Sequence, residues 1–233
     1  MLQLPKVIGH RGAAAYSPEN TLESFREARR RGATWVETDI KLTADGVPIV
    51  MHDDSLKRTT GVDRLVAKTP RAELPAGVPT FEEAIACFGA EGLGCNVEIK
   101  PCPGREAETG RIVVETLRRC WPNHLPAPLL SSFKDESLAA ARAAAPEFAR
   151  ALLLGRFVED WRARVDAVEA VGVNTNGERL TAPWTCAIKD AGLVLGVYTI
   201  DDPKVARVLV GMGADVVITD APDIILAAIA GKA

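Results

Sequence analysis

The sequence predicts an α/β fold, a (β/α)8 or TIM barrel with an antiparallel hairpin after the second strand. Three observations lead there. Short apolar runs alternate with helix-like segments along the whole chain, the pattern of repeated βα units. Nine such runs can be counted, but two of them are separated only by Thr43-Ala44-Asp45-Gly46, and a parallel crossover needs about a dozen residues. Finally, 233 residues at 47% hydrophobic content are enough for one large domain, 1–233, with no linker or shift in composition to divide it. One hairpin leaves eight parallel strands. A barrel buries all of them, and right-handed crossovers fit the helix spacing.

The elements follow in order. KVIGH (Lys6–His10) is the first strand, and TLESFREARRRG, with Leu22, Phe25 and Ala28 at helical spacing, the first helix. Asn20 is expected to cap that helix, with Glu23 three residues on completing a capping box. ATWVETDIKL (Ala33–Leu42) and VPIVMHD (Val47–Asp53) flank the Asp-Gly turn signal. A turn at Ala44-Asp45 sets Glu37 roughly opposite His52. CNVEIK (Cys95–Lys100), PLLSSF (Pro128–Phe133), FARALLL (Phe148–Leu154), VGVNTN (Val171–Asn176), LVLGVYTI (Leu193–Ile200) and DVVITD (Asp215–Asp220) supply the remaining strands. Helices are expected in EEAIACFG, EAETGRIVVETLRRC, DESLAAARAAA, EDWRARVDAVEAVG, APWTCAIKDAG and PKVARVLVGMGA.

A net charge of -3 gives no electrostatic case for nucleic acid or an anionic membrane surface. The longest apolar runs, such as GLVLGVYTI (Gly192–Ile200), fall short of the ~20 residues of a membrane span. MLQLPKVIGH runs directly into a strand and does not read as a secretory signal. Cys87, Cys95, Cys102, Cys120 and Cys186 are odd in number and form no CxxC pair, as expected of reduced thiols in a cytoplasmic protein.

Polar residues collect where the strands end, and in such barrels the C-terminal strand ends form the active-site face. They are His10 and Arg11, Glu37 and Asp39, His52, Glu98 and Lys100, Ser131 and Ser132, Asn174 and Asn176, Tyr198, and Asp220. Glu37 and Asp39 are two apart on one strand, so both carboxylates point the same way, and Glu98 and Lys100 repeat the spacing on another. A Glu-x-Asp pair usually marks a solvated face, but Val36 and Ile40 beside it are apolar and a parallel barrel strand has no solvated face. Three inward carboxylates repel one another unless something positive lies among them. Oxygen-only donors suit Mg²⁺ or Ca²⁺, with a substrate phosphate to complete the shell. Arg11 and Lys100 can bind an anion, and two histidines beside a phosphate form an acid–base pair near neutral pH. Glu98 and Lys100 could equally form an ion pair inside the barrel. Phe133 and Tyr198 could touch substrate or simply pack in the core.

HRG (His10–Gly12) with PENT (Pro18–Thr21), VETDIKLTADGVPIVMHD (Val36–Asp53), NVEIK (Asn96–Lys100), SSF (Ser131–Phe133), VYTID (Val197–Asp201) and ITDAPD (Ile218–Asp223) together resemble the glycerophosphodiester phosphodiesterase family. The likeness runs along nearly the whole chain, and the ordered set is far more specific than a lone HRG. It implies a (β/α)8 barrel that hydrolyses small-molecule glycerophosphodiesters, such as glycerophosphocholine or glycerophosphoethanolamine, to sn-glycerol 3-phosphate and an alcohol with a divalent cation. Position by position, it implies Glu37, Asp39 and Glu98 as metal ligands and His10 and His52 as the acid–base pair. Arg11 and Lys100 match the phosphate contacts. Tyr198 stands where the family commonly has tryptophan, and Ala221 where it has arginine. The short segment Asp54–Thr80 leaves no room for the inserted domain of some relatives. Two rival readings are a phosphodiesterase acting on lysolipids, which would want an apolar docking surface, and a non-catalytic phosphodiester-binding barrel. A zinc amidohydrolase would want clustered histidines, and the first strand offers only His10.

Overall fold

The segment WVETDIKL is buried at every one of its eight positions, acidic and basic residues included. That is the behaviour of a strand covered on both faces, and the computed structural model, which describes residues 4–231, shows why. Met1, Leu2 and Gln3 of the N-terminal segment lie outside that range. The first half of the chain runs β1 (Val7–Gly9), α1 (Leu22–Arg30), β2 (Trp35–Leu42), β3 (Pro48–Val50), α2 (Lys57–Thr60), α3 (Phe81–Glu91), β4 (Gly94–Ile99), α4 (Glu106–Cys120) and β5 (Leu129–Ser132). It continues through α5 (Asp135–Ala144), β6 (Ala149–Leu154), α6 (Trp161–Ala167), β7 (Gly172–Asn176), α7 (Ala182–Asp190), β8 (Val194–Tyr198), α8 (Pro203–Met212), β9 (Val216–Thr219) and α9 (Pro222–Ile229). Strands β1, β2, β4, β5, β6, β7, β8 and β9 pair in parallel in that order, and β9 pairs back to β1. The sheet closes as an eight-stranded barrel, with β3 as an extra antiparallel strand on β2.

Side-chain parity then divides the barrel into layers. Ile8, Trp35, Leu129, Ala151, Val216 and Ile218 fill the interior as an apolar layer. One step up each strand, Glu37, Asn96, Ser131, Leu153 and Asn174 point the same way, because inward positions recur every second residue. Outside the strands, the helices seal the barrel with two large apolar clusters, one of which holds the edge-to-face pair Phe25–Phe88 at 4.9 Å.

The hairpin is antiparallel as expected, but its register differs by one residue. Ile40 faces Val50, Lys41 faces Ile49 and Leu42 faces Pro48. The Thr43 N–H donates to the Val47 carbonyl at 3.0 Å and Gly46 takes φ 79°, so three residues, Ala44–Gly46, form the loop. A three-residue loop ending in a left-handed glycine is the next most common hairpin after the two-residue turn. The extra residue moves Glu37 away from the position opposite His52. β3 ends at Val50, and the chain bends through His52–Asp54, so the register does not dictate where the imidazole goes.

The first helix also starts one residue later than expected. Thr21, not Asn20, is its N-cap, and the Thr21 hydroxyl accepts from the Ser24 N–H at 3.1 Å. The capping box occurs instead at α3, between Thr80 and Glu83. Helices α2 and α9 have no counterpart among the predicted ones. Among the described residues, no helix is long and apolar enough to cross a membrane.

Candidate active site

The register of β2 against β4 sets Glu37 beside Asn96 and Asp39 beside Glu98. Parity turns all three carboxylates into the mouth, where one oxygen from each lies within 4.8 Å of the others. Burial pushes Glu37 up to about 7, helped by the neighbouring Asp39 charge, and pushes Glu98 up to about 8. Burial works on Asp39 in the same direction. There, however, Lys100 and Arg11 outweigh it and hold the carboxyl at about 2.

Cations bracket this triad. Lys100 Nζ lies 2.9 Å from Glu98 Oε1 and 3.4 Å from Asp39 Oδ1, and Arg11 Nε lies 3.3 Å from Asp39 Oδ2. Lys100 and Glu98 are therefore an ion pair and members of the cluster at once. Arg11 sits at φ 51° and Gly12 at φ 95°. A Cβ on Gly12 would come within 2.6 Å of the Ser24 carbonyl carbon, so only glycine fits this turn. The turn aims the Arg11 N–H at Glu37 Oε2, 3.0 Å away.

Both histidines are held by a carboxylate at Nδ1. His10 Nδ1 lies 2.6 Å from Asp220 Oδ1, and its Nε2 is 3.9 Å from Glu37 Oε2. His52 Nδ1 lies 2.6 Å from Asp53 Oδ1. In each case the second ring nitrogen is left for the cavity. Burial lowers the pKa of His10, but the Asp220 hydrogen bond and the Glu37 charge overcome it, and the group ends raised. Burial wins at His52, which ends lowered despite Asp39 and Asp53.

One cavity of about 100 Å³ is lined by His10, Arg11, Glu37, His52, Glu98, Lys100, Phe133 and Tyr198. Of the nine residues singled out from sequence, only Asp39 is absent from its wall; it is buried against Arg11 and Lys100. Tyr198 is tied down rather than free. Its hydroxyl donates to the Leu154 carbonyl at 3.3 Å and its ring meets Phe133 edge-on at 6.1 Å. Phe133 is 40% exposed at the rim.

Several neighbours have no role at the site assigned from the sequence, although Glu19 and Asn20 stand in the PENT motif. Asn20 takes a left-handed φ of 57°, and its amide donates to Asp39 Oδ2 at 2.8 Å and accepts from the Thr38 hydroxyl at 2.9 Å. Glu19 holds Arg11 at 2.7 Å and is itself forked by Arg58, which also reaches Asp53 at 2.6 Å. Arg58 first, and then Arg11, bring Glu19 down to about 2 against the effect of burial. An unbroken chain of polar contacts thus runs Asp39–Arg11–Glu19–Arg58–Asp53–His52. Asp53 was visible as the residue after a histidine. Asp220 lies 210 residues from His10, a pairing only the closed barrel creates.

The donor set fits a divalent cation. Glu37 Oε1 and Asp39 Oδ1 are buried without a hydrogen-bond partner among the described residues, as are Asn96 Oδ1 and Ser131 Oγ on the same cavity. Buried polar atoms are normally satisfied, so such a concentration at one barrel mouth points to a ligand. Hard carboxylate oxygens are what Mg²⁺ or Ca²⁺ take.

Charge gathered at the C-terminal face of a closed parallel barrel defines the class of α/β-barrel enzymes. Within that class, residues 10–224 match the Glycerophosphoryl diester phosphodiesterase family, and the chain belongs to it. A glycerophosphodiester phosphodiesterase of Caldanaerobacter subterraneus is 28% identical over 94% of this chain and 96% of its own length. Among solved structures, a phosphodiesterase of Oleispira antarctica in complex with the product sn-glycerol-3-phosphate is 38% identical. It covers 98% of both chains with a TM-score of 0.94. A glycerophosphodiester phosphodiesterase of Thermotoga maritima is 26% identical over 97% of this chain and 99% of its own, with a TM-score of 0.79.

Proposed function

We propose that the chain hydrolyses glycerophosphodiesters such as glycerophosphocholine or glycerophosphoethanolamine to sn-glycerol 3-phosphate and an alcohol. The observation that carries this reading is the cavity in which two carboxylate-held histidines face Glu37 and Glu98, with Asp39 clustered beside them and Arg11 and Lys100 flanking. Glu37, Asp39 and Glu98 would hold Mg²⁺ or Ca²⁺. When bound, the cation supplies positive charge beside the phosphoryl oxygens as phosphorus becomes five-coordinate. Arg11 presents a guanidinium fork and Lys100 a point charge, and both orient the phosphate. Phe133 and Tyr198 form the aromatic side of the cavity against which the substrate lies.

His10 and His52 divide the proton transfers. One takes the proton of the attacking hydroxyl and the other returns a proton to the departing alkoxide, each through the nitrogen that its Asp partner leaves free. Asp220 and Asp53 fix ring orientation and tautomer without exchanging protons themselves. The attacking hydroxyl belongs to water or to the glycerol 2-position. The second route passes through a cyclic phosphate. Five free cysteines, three of them buried, support a reducing compartment such as the cytoplasm. Phosphorus and proton NMR of a reaction on glycerophosphocholine test the reading. We expect glycerol 3-phosphate and free choline. Inert substrate in the presence of Mg²⁺ or Ca²⁺ would leave the non-catalytic binding barrel as the better account.

A further inference from the structure

A phosphodiester has two ester arms, and the 100 Å³ cavity between the histidines is small beside ligand pockets, which run to about 300–1,000 Å³. Leu153, Tyr198 and Ile218 close one end of it. The second arm needs another space. A groove of about 450 Å³ opens from the cavity and shares its His52, Glu98, Lys100 and Phe133. A second groove, of about 460 Å³ under Pro75–Val78, meets the cavity at His52 alone. The first is therefore the continuous path.

Its wall contains a residue that the phosphate chemistry does not use. Lys41 follows Glu37 and Asp39 in the inward series of β2 and is only 2% exposed. A buried ammonium is costly unless paired, and Lys41 Nζ lies 2.6 Å from Asp54 Oδ1. Asp54 itself is about half exposed, at 53%, on the groove wall. Phe133 offers a ring at the rim, and Lys100 Nζ already lies 5.8 Å from its centroid. A π-face with a fixed carboxylate in the same groove is a setting for an organic cation. Pro101 and Pro103 add apolar wall for its methylenes.

We propose that this groove is the subsite for the alcohol arm and that it selects alcohols carrying an ammonium group, with Asp54 as counter-ion and Lys41 as the residue that positions it. The inference rests on the phosphodiesterase reading above. A competing use of the Lys41–Asp54 pair is to staple the hairpin to the segment after it, where the Val66 N–H donates to the Asp54 carbonyl at 2.9 Å.

The test is a ratio. Measure kcat/KM on glycerophosphoethanolamine and on glycerophosphoglycerol, whose head is neutral, in the same preparation with saturating Mg²⁺. Loss of folded protein cancels in this ratio, so a stapling role leaves it unmoved. Asp54→Asn should lower the ratio about five- to tenfold, chiefly through KM on the ammonium substrate. Lys134→Glu changes an exposed lysine on the same groove and should raise the ratio about twofold. A ratio that is unchanged or rises in Asp54→Asn overturns the subsite, whatever Lys134→Glu does. If the wild type cleaves neither substrate, the phosphodiesterase reading itself has failed.

Discussion

The two sides of the barrel mouth are built from opposite materials. On one side β1, β2 and β4, with the hairpin and its exit, deliver His10, Arg11, Glu37, Asp39, Lys41, His52, Glu98 and Lys100 to a few neighbouring strand ends. On the other, β6, β7 and β8 bring Leu153, Asn174 and Tyr198, with no ionised group among their inward residues near the mouth. Behind them α6 to α9 pack one of the two large apolar clusters, which holds Trp161 and Trp184. The charged side holds its mouth residues in place by attraction and repulsion, while the inward residues of the other side are held by apolar contact and hydrogen bonds. β2 and β4 also turn Val36, Ile40, Val97 and Ile99 outward into the other large apolar cluster, so burial stabilises both sides while catalytic geometry comes from one. Substitutions at the charged mouth and in the apolar layers should therefore fail in different ways.

The largest effect on activity is expected from Glu37→Ala and Asp39→Ala. The charge stabilisation at stake is several kcal/mol, so kcat/KM on glycerophosphocholine should fall about a thousandfold or more. Stability should separate the two positions. Glu37→Gln removes a buried carboxyl that resists ionisation and should leave the metal-free fold as stable or more so. Asp39→Asn strands Arg11 and Lys100 and should destabilise it. Chemical denaturation of both metal-free variants checks this, and equal destabilisation would contradict it.

Next in size are His10→Ala and His52→Ala, each expected to cost about 10²–10⁴-fold on glycerophosphocholine. An aryl phosphodiester, whose phenolate leaves unaided, should restore most of that loss in only one of them, the one lacking the acid. Equal losses on both substrates by both variants would mean that the histidines hold the phosphate and do not move its protons.

A smaller and purely thermodynamic effect follows from pH. Glu37 and Glu98 are raised to about 7 and about 8 in the fold, above their ordinary value of 4.5. Their contribution to the metal-free protein is complete below about pH 4.5 and is lost as pH climbs through 7 and 8. The Tm of wild type relative to Glu37→Gln should therefore fall between pH 5 and 8, at about 2–4 °C per kcal/mol in a chain of this size. A relative Tm that rises over this range would refute the assignment.

On the apolar side the ranking inverts. Leu152→Ala, at a fully buried position, should cost about 2–5 kcal/mol of stability while the molecules that remain folded keep kcat/KM within a few-fold. Tyr198→Phe removes only a 3.3 Å hydrogen bond and should change stability by about 1 kcal/mol or less. Large activity losses in folded Leu152→Ala would erase the distinction between the two sides.

The charged side was the more legible of the two in the sequence. Glu37 and Asp39 could be aimed inward because parity is fixed by the strand and a barrel strand is buried on both faces, a rule that needs no tertiary detail. The same rule covers Lys41, but its pairing with Asp54 depends on the bend after β3. The hairpin was readable from chain length alone. Its register was not, because Asp-Gly suits several hairpin turns; a two-residue turn at Ala44-Asp45 would need left-handed φ there, whereas the loop over Ala44–Gly46 puts it at Gly46 alone. Asn20 was misread because asparagine favours both helix caps and left-handed backbone. Only packing against Asp39 decides between those roles. The Asp220–His10 contact has no local signature, since barrel closure brings β9 to β1.

The central claim is that the charged side forms one site whose carboxylates require a divalent cation to cleave a phosphodiester. The most direct measurement is turnover of glycerophosphocholine by wild type stripped with excess chelator and then given Mg²⁺, Ca²⁺ or Zn²⁺ in turn. The account predicts no turnover after stripping, with recovery by Mg²⁺ or Ca²⁺ exceeding recovery by Zn²⁺, as hard oxygen donors require. Full activity in excess chelator would contradict it.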